Sequence, residues 1–231
     1  MKALVVGSVG NEAHEQSVRS YFLEAAPSGW ACDTTTLGVS DAITYAIQNS
    51  YDIIIRSYSS INVYDLQWKS AVDNNIVVVH AHGSNTYAEI PYSSFYYAIG
   101  VGGGLTSNVR SYGLALDVYY STSGNLTEEI WTTGIVAGKM AHIIQNNPSY
   151  NSWDVRQHLR QTANAYSNGW NTINGYGKAS STYQSLSALD SVPPLRFSAY
   201  SVGSTAVQFD WVNFYQTSFS LSQILLNNIV I

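Results

Sequence analysis

Two histidines stand close together in the chain, at a spacing that suits metal binding. His80 and His82 follow the apolar run at residues 76–79, which predicts a buried strand. Because alternate residues of a strand face the same side, both imidazoles would point in one direction, as a zinc site requires. Such a site needs a third ligand, and Cys32, the only cysteine, excludes a cysteine-based set. We therefore predict no bound metal or other cofactor, and this pair is the weak metal candidate.

Two further patterns resemble chemical motifs only in part. Glu128 and Glu129 are adjacent, so their side chains point apart, and they suit the positive N-terminus of the helix that follows. Residues 102–104 are three glycines, but they lack both the G-x-G-x-x-G pattern before a helix and the lysine of a phosphate-binding loop. We expect a helix start and a loose turn, rather than an acid/base pair and a phosphate site.

Tyrosine and tryptophan are abundant, with 18 and 6 copies among 231 residues. Both combine a large apolar area with a polar tip, which suits protein interfaces and sugar stacking. Many of them would pack in or beside the core, and the clustered ones are candidates for a contact surface. These candidate binding residues are Tyr96, Tyr97, Tyr119, Tyr120, Trp211 and Tyr215.

The amino-acid composition limits the classes of partner that such a surface would bind. Charged residues make up only 11% of the chain and the formal net charge is -5, without a block of Lys or Arg, which argues against nucleic-acid binding. No stretch approaches the ~18 apolar residues of a membrane-spanning helix, and the first apolar run is too short for a signal peptide. Polarity comes mostly from neutral side chains, a composition that we associate with secreted or virion proteins.

The elements that position these residues alternate between apolar runs and amphipathic helices. Continuous β-branched runs indicate strands covered on both faces, and therefore a mainly parallel sheet joined by right-handed crossovers. The predicted strands are residues 3–6, 31–37, 52–56, 76–79, 95–101 and 116–120. The predicted helices are residues 12–25, 40–49, 64–73, 131–145 and 152–162. This order predicts an α/β fold with a doubly wound sheet, and Gly134 and Gly138 mark a close packing contact in the fourth helix.

A change of pattern at residues 192–194, Val-Pro-Pro, predicts a boundary between an α/β domain, residues 1–191, and a C-terminal appendage, residues 192–231. Beyond the boundary, apolar and polar residues alternate as they do in antiparallel β-strands. The appendage is too short for an independent sandwich. We expect it to pack on the α/β domain or to add strands to a partner.

The order and spacing of several segments resemble those of the subtilisin-like serine protease family over roughly residues 12–189. The matching segments are DAITYAIQNSYDIIIRSYSS, AVDNNIVVVHAHGSN, EIPYSSFYYAIGVGGG, WTTGIVAGKMAHIIQNNPSYNSWDVRQHLRQTAN and GYGKASSTYQSLSAL. The fourth resembles the nucleophile helix with the helix after it, and the last resembles the closing turn and final helix. The resemblance implies the family's fold, with a cleft at the edge where its catalytic residues gather.

The family cuts peptides with an Asp, a His and a Ser, and an Asn side chain stabilises the oxyanion. The resemblance assigns His14 to the His position, because Val18 is then in register. If the first strand is the Asp-bearing strand of the family, Gly7 and Ser8 stand where the Asp belongs. Otherwise the chain begins after that strand. Neither alternative offers a carboxylate.

The nucleophile and oxyanion positions also depart from the family. Anchoring on residues 136–138 places Ile130 at the nucleophile, and isoleucine has no atom that can attack a carbonyl. The oxyanion position falls on Ser84, with Asn85 one place further on. The resemblance therefore implies a degenerate site without its nucleophile.

We accordingly predict a non-enzymatic structural or interaction protein, set in a phage virion or another extracellular assembly. Its partners would be proteins, in a homo-oligomer or a larger assembly formed through the aromatic surface and the C-terminal strands. Two alternatives stay open. One is a hydrolase with a rearranged site that uses His14 with Thr132 or Thr133, and the other is a carbohydrate-binding module built on the aromatic residues.

Overall fold

A computed structural model describes residues 1–7, 10–57, 65–81, 97–105, 108–109, 116–122, 129–170 and 175–190, together with four strands after residue 194. By its internal contacts the chain divides into two units, Met1–Ser191 and Val192–Ile231. The first unit carries the candidate site.

One sheet forms the centre of the first unit, and its strands are almost all parallel. In spatial order they are β2 (Ala31–Thr35), β1 (Lys2–Val6), β3 (Ile53–Arg56), β4 (Val77–Ala81) and β5 (Ile99–Leu105). The strand β5 also pairs in parallel with β7 (Leu116–Thr122) and antiparallel with the short β6 (Asn108–Val109). The predicted α/β class with a mainly parallel sheet is confirmed.

Helices cover both faces of the sheet. Successive strand residues are apolar and point to opposite faces, so both faces are apolar and are buried by helices. The helices are α1 (Glu12–Ala25), α2 (Val39–Gln48), α3 (Asp65–Asp73), α4 (Glu129–Asn146) and α5 (Ser152–Gln161). Ala3 and Val5 of β1 belong to a core cluster with residues of α1, α4 and α5. Leu4 and Val6 belong to a second cluster with residues of α2 and α3. This is the doubly wound arrangement that the continuous apolar strands predict.

The close contact predicted at Gly134 and Gly138 is between α4 and α1. A Cβ on Gly138 would lie 2.6 Å from Cβ of Ala25 and 2.8 Å from the backbone oxygen of Phe22. A Cβ on Gly134 would lie 2.7 Å from the backbone oxygen of Val18. The two helices therefore pack backbone against backbone, which fixes the position of α1 and its polar N-terminal turn.

A buried charge cluster connects β7 with α5. Asp117 is 0% exposed, and its carboxylate accepts hydrogen bonds from Arg156 Nη2 at 2.7 Å and from Arg160 Nε at 2.7 Å. It also accepts one from the backbone N–H of Gly100 at 3.0 Å, which adds β5 to the cluster. Burial lowers the pKa of Arg156 to about 10, and Asp117 opposes this effect by favouring the charged guanidinium.

Two sequence-based expectations are wrong. Residues 102–104 form part of β5 rather than a loose turn, because their backbone pairs with residues 119–121 of β7. The closing helix implied by the family resemblance is missing from the described residues 175–190, which contain no helix. Serine side chains in this segment form hydrogen bonds with nearby backbone groups, which compete with the hydrogen bonds of a helix. Ser180 Oγ, for example, donates to the backbone oxygen of Thr182 at 2.7 Å.

The second unit contains two antiparallel strand pairs. The longer pair is β8 (Leu195–Val202) with β9 (Ala206–Asn213), and the shorter is β10 (Leu225–Leu226) with β11 (Ile229–Val230). In neither unit does a described helix have the length and apolar character needed to cross a membrane.

Candidate functional site

The end of β1 carries a glycine, which stands at the aspartate position if β1 is the Asp-bearing strand of the family. Gly7 is the first residue after β1, and its backbone N–H donates to the oxygen of Thr35 at 2.9 Å, next to the end of β2. A Cβ on Gly7 would lie 1.8 Å from Oε1 and 2.2 Å from Cγ of Glu15. The side chain of Glu15 therefore occupies the space that any side chain on residue 7 would need.

Glu15 reaches this position from the first turns of α1. It lies on the buried face of the helix with Val18 and Phe22, and it is only 1% exposed. The spacing of these three residues is that of one helical face. A carboxylate near the N-terminus of a helix is stabilised by the helix dipole, which offsets part of the cost of burying it.

His14, the residue before Glu15, contacts the neighbouring strand end. Its Nε2 lies 2.7 Å from Oγ of Ser57, the first residue after β3. Ser57 is 1% exposed, whereas His14 is partly exposed. Since β1 and β3 pair in parallel, Gly7 and Ser57 end adjacent strands at the same edge of the sheet. In open α/β sheets this carboxyl edge is where ligands bind.

The sequence predicted His14 at this site, but neither Ser57 nor the role of Glu15 was foreseen. Ser57 follows the apolar run of β3 as an ordinary serine, and its contact with His14 spans 43 residues of sequence. The available signal was a missing side chain at Gly7 together with a long acidic side chain at Glu15.

The other predicted catalytic positions are described only in part. Ile130 is the second residue of α4, and its backbone alone is described. Thr132 and Thr133, on the same helix, are both 0% exposed. Ser84 and Asn85 lie outside the described residues, so their assignment stays a prediction.

Of the two metal candidates, the structure describes only His80. His80 is 2% exposed, its Nδ1 donates to the backbone oxygen of Ala81 at 2.6 Å, and its ring packs edge-on against Trp68. His82 lies outside the described residues. Within the part of the chain that the structure describes, no group of three or more His, Cys, Asp or Glu side chains could hold a metal ion.

The aromatic candidates are distributed over different environments. Tyr97 packs against Trp153 with ring centroids 6.2 Å apart. Tyr119 and Tyr120 are half-buried on β7. Trp211 belongs to β9, where only its backbone is described, and Tyr96 and Tyr215 lie outside the described residues. A shared aromatic contact surface therefore stays a prediction.

Comparison with known proteins gives matches in structure alone. No protein-family model matches the chain, and no curated protein sequence matches it. The psychrophilic subtilisin-like protease Apa1 from the Antarctic psychrotroph Pseudoalteromonas sp. AS-11 is 8% identical, with a TM-score of 0.63 over 78% of this chain and 91% of that one. The MycP3 protease from the type VII (ESX-3) secretion system is 14% identical, with a TM-score of 0.58 over 78% and 81%.

A chain of the periplasmic assembly from the ESX-5 inner membrane complex is also 14% identical, with a TM-score of 0.61 over 89% of this chain and 84% of that one. At these identities the likeness concerns the fold. The fold that the resemblance implied is confirmed: the chain has the fold of the subtilisin-like proteases.

Proposed function

We propose that this chain is a non-catalytic domain with a subtilisin-like fold, which serves as a rigid interaction scaffold in a larger assembly. The observation that carries the proposal is the contact between Gly7 and Glu15. A triad aspartate at position 7 needs a Cβ, and that Cβ would meet Glu15 Oε1 at 1.8 Å. Without that aspartate, the histidine of a protease loses the group that fixes its tautomer and orientation.

The nucleophile position supports the same proposal. Ile130 has no nucleophilic atom. Thr132 and Thr133 carry hydroxyl groups, but both side chains are fully buried on α4. A substrate carbonyl must approach a nucleophile to within about 3–3.5 Å. The hydrolase alternative that uses these threonines would thus require α4 to open.

The assembly setting is supported by composition and by one structural relative. A similarly folded chain belongs to the periplasmic assembly from the ESX-5 inner membrane complex. The low charge content and the many tyrosines suit extensive contacts with other proteins. We propose a phage virion or another extracellular assembly as the setting, with contacts made through aromatic residues and the strands of the second unit.

A second candidate function, a serine hydrolase, is favoured by one distance. Ser57 Oγ lies 2.7 Å from His14 Nε2, which is the separation of a nucleophile and its general base. In such an enzyme His14 would take the hydroxyl proton while Oγ attacks a carbonyl carbon. The burial of Ser57 weighs against this function.

Covalent labelling separates the two functions. The full chain is incubated with a fluorophosphonate, which reacts with activated serine and threonine hydroxyls, and the intact mass is measured beside a subtilisin as positive control. We expect no added mass. Stoichiometric labelling that is lost in Ser57→Ala, or in Thr132→Ala or Thr133→Ala, would overturn the non-catalytic proposal.

The scaffold role has its own test. Light scattering across micromolar concentrations measures the mass of the particles in solution, and we expect self-association or co-assembly with a structural partner. A protein that stays monomeric and forms no complex with the structural proteins encoded beside it would contradict the assembly part of the proposal.

A further inference from the structure

A cleft of about 520 Å³ lies on the helical layer of the first unit, away from the Gly7–Ser57 edge. Its walls are the second half of α1, the middle of α4, part of α5 and residues 180–184. None of Gly7, His14, Glu15 or Ser57 lines it. The volume falls in the range of about 300–1,000 Å³ that small-molecule sites occupy.

One side of the cleft carries the ammonium group of Lys139, whereas the nearby Lys178 is not among the lining residues. Lys139 Nζ lies 4.9 Å from the ring centroid of Tyr120, and Lys178 Nζ lies 5.4 Å from the same centroid. Lys139 also donates to the backbone oxygen of Ser181 at 2.9 Å, and neither ammonium forms an ion pair within the described residues. Desolvation, with a smaller contribution from Lys178, lowers the pKa of Lys139 to about 8. An anion in the cleft beside Lys139 would favour the charged form of this ammonium group.

Another part of the lining contains a buried histidine. His158 is 1% exposed, and its Nε2 donates to the backbone oxygen of Gln184 at 2.8 Å. Its ring stacks on Tyr183, while Nδ1 has no hydrogen-bond partner within the described residues. Burial lowers the pKa of His158. Because Nδ1 is buried, the residue contributes to this wall through its packing on Tyr183 rather than through a hydrogen bond to a bound molecule.

The remaining walls suit an apolar or aromatic group. Ile135, Ile143 and Leu159 form apolar walls, and Tyr21 adds an aromatic ring. Glu24 on α1 also lines the cleft, and its negative charge disfavours a dianion such as phosphate more than a monoanion.

We propose that this cleft binds a carboxylate attached to an aromatic or apolar group. The carboxylate binds beside Lys139, and the apolar group packs on the aliphatic and tyrosine walls. Such a ligand is either a small organic acid or the C-terminal residue of a peptide, and the two sources share this chemistry.

Titration of the isotope-labelled full chain, followed by NMR chemical shifts, tests the site. The probes are N-acetyl-L-tyrosine, which mimics a peptide C-terminus, 4-hydroxyphenylacetate, an organic acid without an amide, and N-acetyl-L-tyrosinamide, which lacks the carboxylate. We expect saturable shifts at the cleft with one or both acids, and about tenfold weaker binding of the amide. Tighter binding of N-acetyl-L-tyrosine assigns a peptide C-terminus; equal or tighter binding of 4-hydroxyphenylacetate assigns a small acid.

Variants connect the binding to the lysine. Lys139→Gln should weaken the binding of both acids about tenfold. Lys139→Arg should retain most of the affinity, because it keeps the positive charge. Lys69→Gln, on an exposed part of α3, is the matched control and should leave binding unchanged. The proposal is overturned if neither acid binds saturably, if the amide binds as tightly as the acid, if inorganic phosphate competes equally, or if Lys139→Gln has no effect.

Discussion

At the scale of single residues, Glu15 and Gly7 form a complementary pair. Glu15 extends from α1 into the space beside the end of β1, and Gly7 leaves that space empty of side-chain atoms. Close packing makes the two positions interdependent, because an interior tolerates neither a void nor an overlap cheaply. The contact thus couples the N-terminal turn of α1 to the carboxyl edge of the sheet.

This coupling predicts a non-additive pair of substitutions. Gly7→Ala should lower the free energy of unfolding by about 1–3 kcal/mol, because its methyl group overlaps Glu15. In a Glu15→Ala background the three overlapping atoms are gone, and the same Gly7→Ala change should cost less than about 0.5 kcal/mol. Urea unfolding of the four proteins measures the cycle.

Gly38→Ala is the matched control, since a Cβ there would meet no atom within 4 Å. Its effect should stay below about 1 kcal/mol. Equal costs of Gly7→Ala with and without Glu15 would contradict the assigned contact.

Cys32 gives a second residue-scale prediction, which concerns pH. The thiol is 3% exposed on β2, and burial raises its pKa to about 12 from an ordinary value of 9.0. The unfolded thiol ionises above pH 9 while the folded one stays neutral, so its contribution to stability is complete below that pH and is lost as pH rises towards 12.

Between pH 9 and about 10.5 the unfolding free energy of the wild type should therefore fall by about 1–2 kcal/mol more than that of Cys32→Ala. Other alkaline groups are common to both proteins, so the difference isolates the thiol. If the unfolding free energies of the wild type and of Cys32→Ala fall in parallel over this pH range, the assigned pKa of Cys32 is wrong. A thiol reagent at pH 8 provides an independent measure, and it should modify Cys32 only as fast as the protein unfolds.

At the scale of elements, Asp117 holds together β5, β7 and α5. One carboxylate compensates two guanidinium groups that are 2% and 1% exposed. A buried cluster of this kind stabilises little relative to an apolar core, but removing one partner leaves uncompensated charge. This carboxylate thus acts together with the core packing of Val155 and Leu159 to position α5, and with it one wall of the cleft.

Asp117→Asn keeps the shape of the side chain and removes its charge, and it should lower the free energy of unfolding by about 3–5 kcal/mol. The control is Asp73→Asn, which breaks the exposed ion pair with Lys69 on α3 and should leave the urea midpoint unchanged. Similar midpoints for the two variants would show that Asp117 is not the counter-charge of α5.

The sequence predicted the secondary-structure elements better than it predicted the contacts at the candidate site. Continuous apolar runs such as Ile53, Ile54 and Ile55 of β3, and capped amphipathic segments such as Ser152–Gln161, have sequence patterns that predict their structure locally. The closing helix was wrong because it was inferred from resemblance, whereas its own serine-rich sequence disfavours a helix. The contact of His14 with Ser57 was missed because it depends on which strands become neighbours, and no local pattern encodes that.

At the scale of the whole molecule, the two units differ in what holds them together. The core clusters of the described residues run from Ala3 to Ala179, so they lie wholly inside the first unit. The described residues of the second unit form two antiparallel strand pairs. Strand pairs of that size are marginally stable in isolation, which suits a segment that completes its pairing with a partner.

A chain that ends at Ser191 should therefore unfold cooperatively, with a free energy of unfolding within about 0.5 kcal/mol of the full-length value. Circular dichroism during urea unfolding measures both the transition and its midpoint. Loss of the cooperative transition in the shortened chain would mean that the second unit contributes to the core of the first.

The contact between Gly7 and Glu15 also sets an order on evolutionary change. With Glu15 present, every side chain larger than hydrogen at position 7 meets the Cγ of Glu15 at 2.2 Å. A change of residue 7 to aspartate therefore requires the side chain of Glu15 to move or to be replaced, and it costs less stability once residue 15 has become smaller. The order in which the two positions change thus decides the cost of each change.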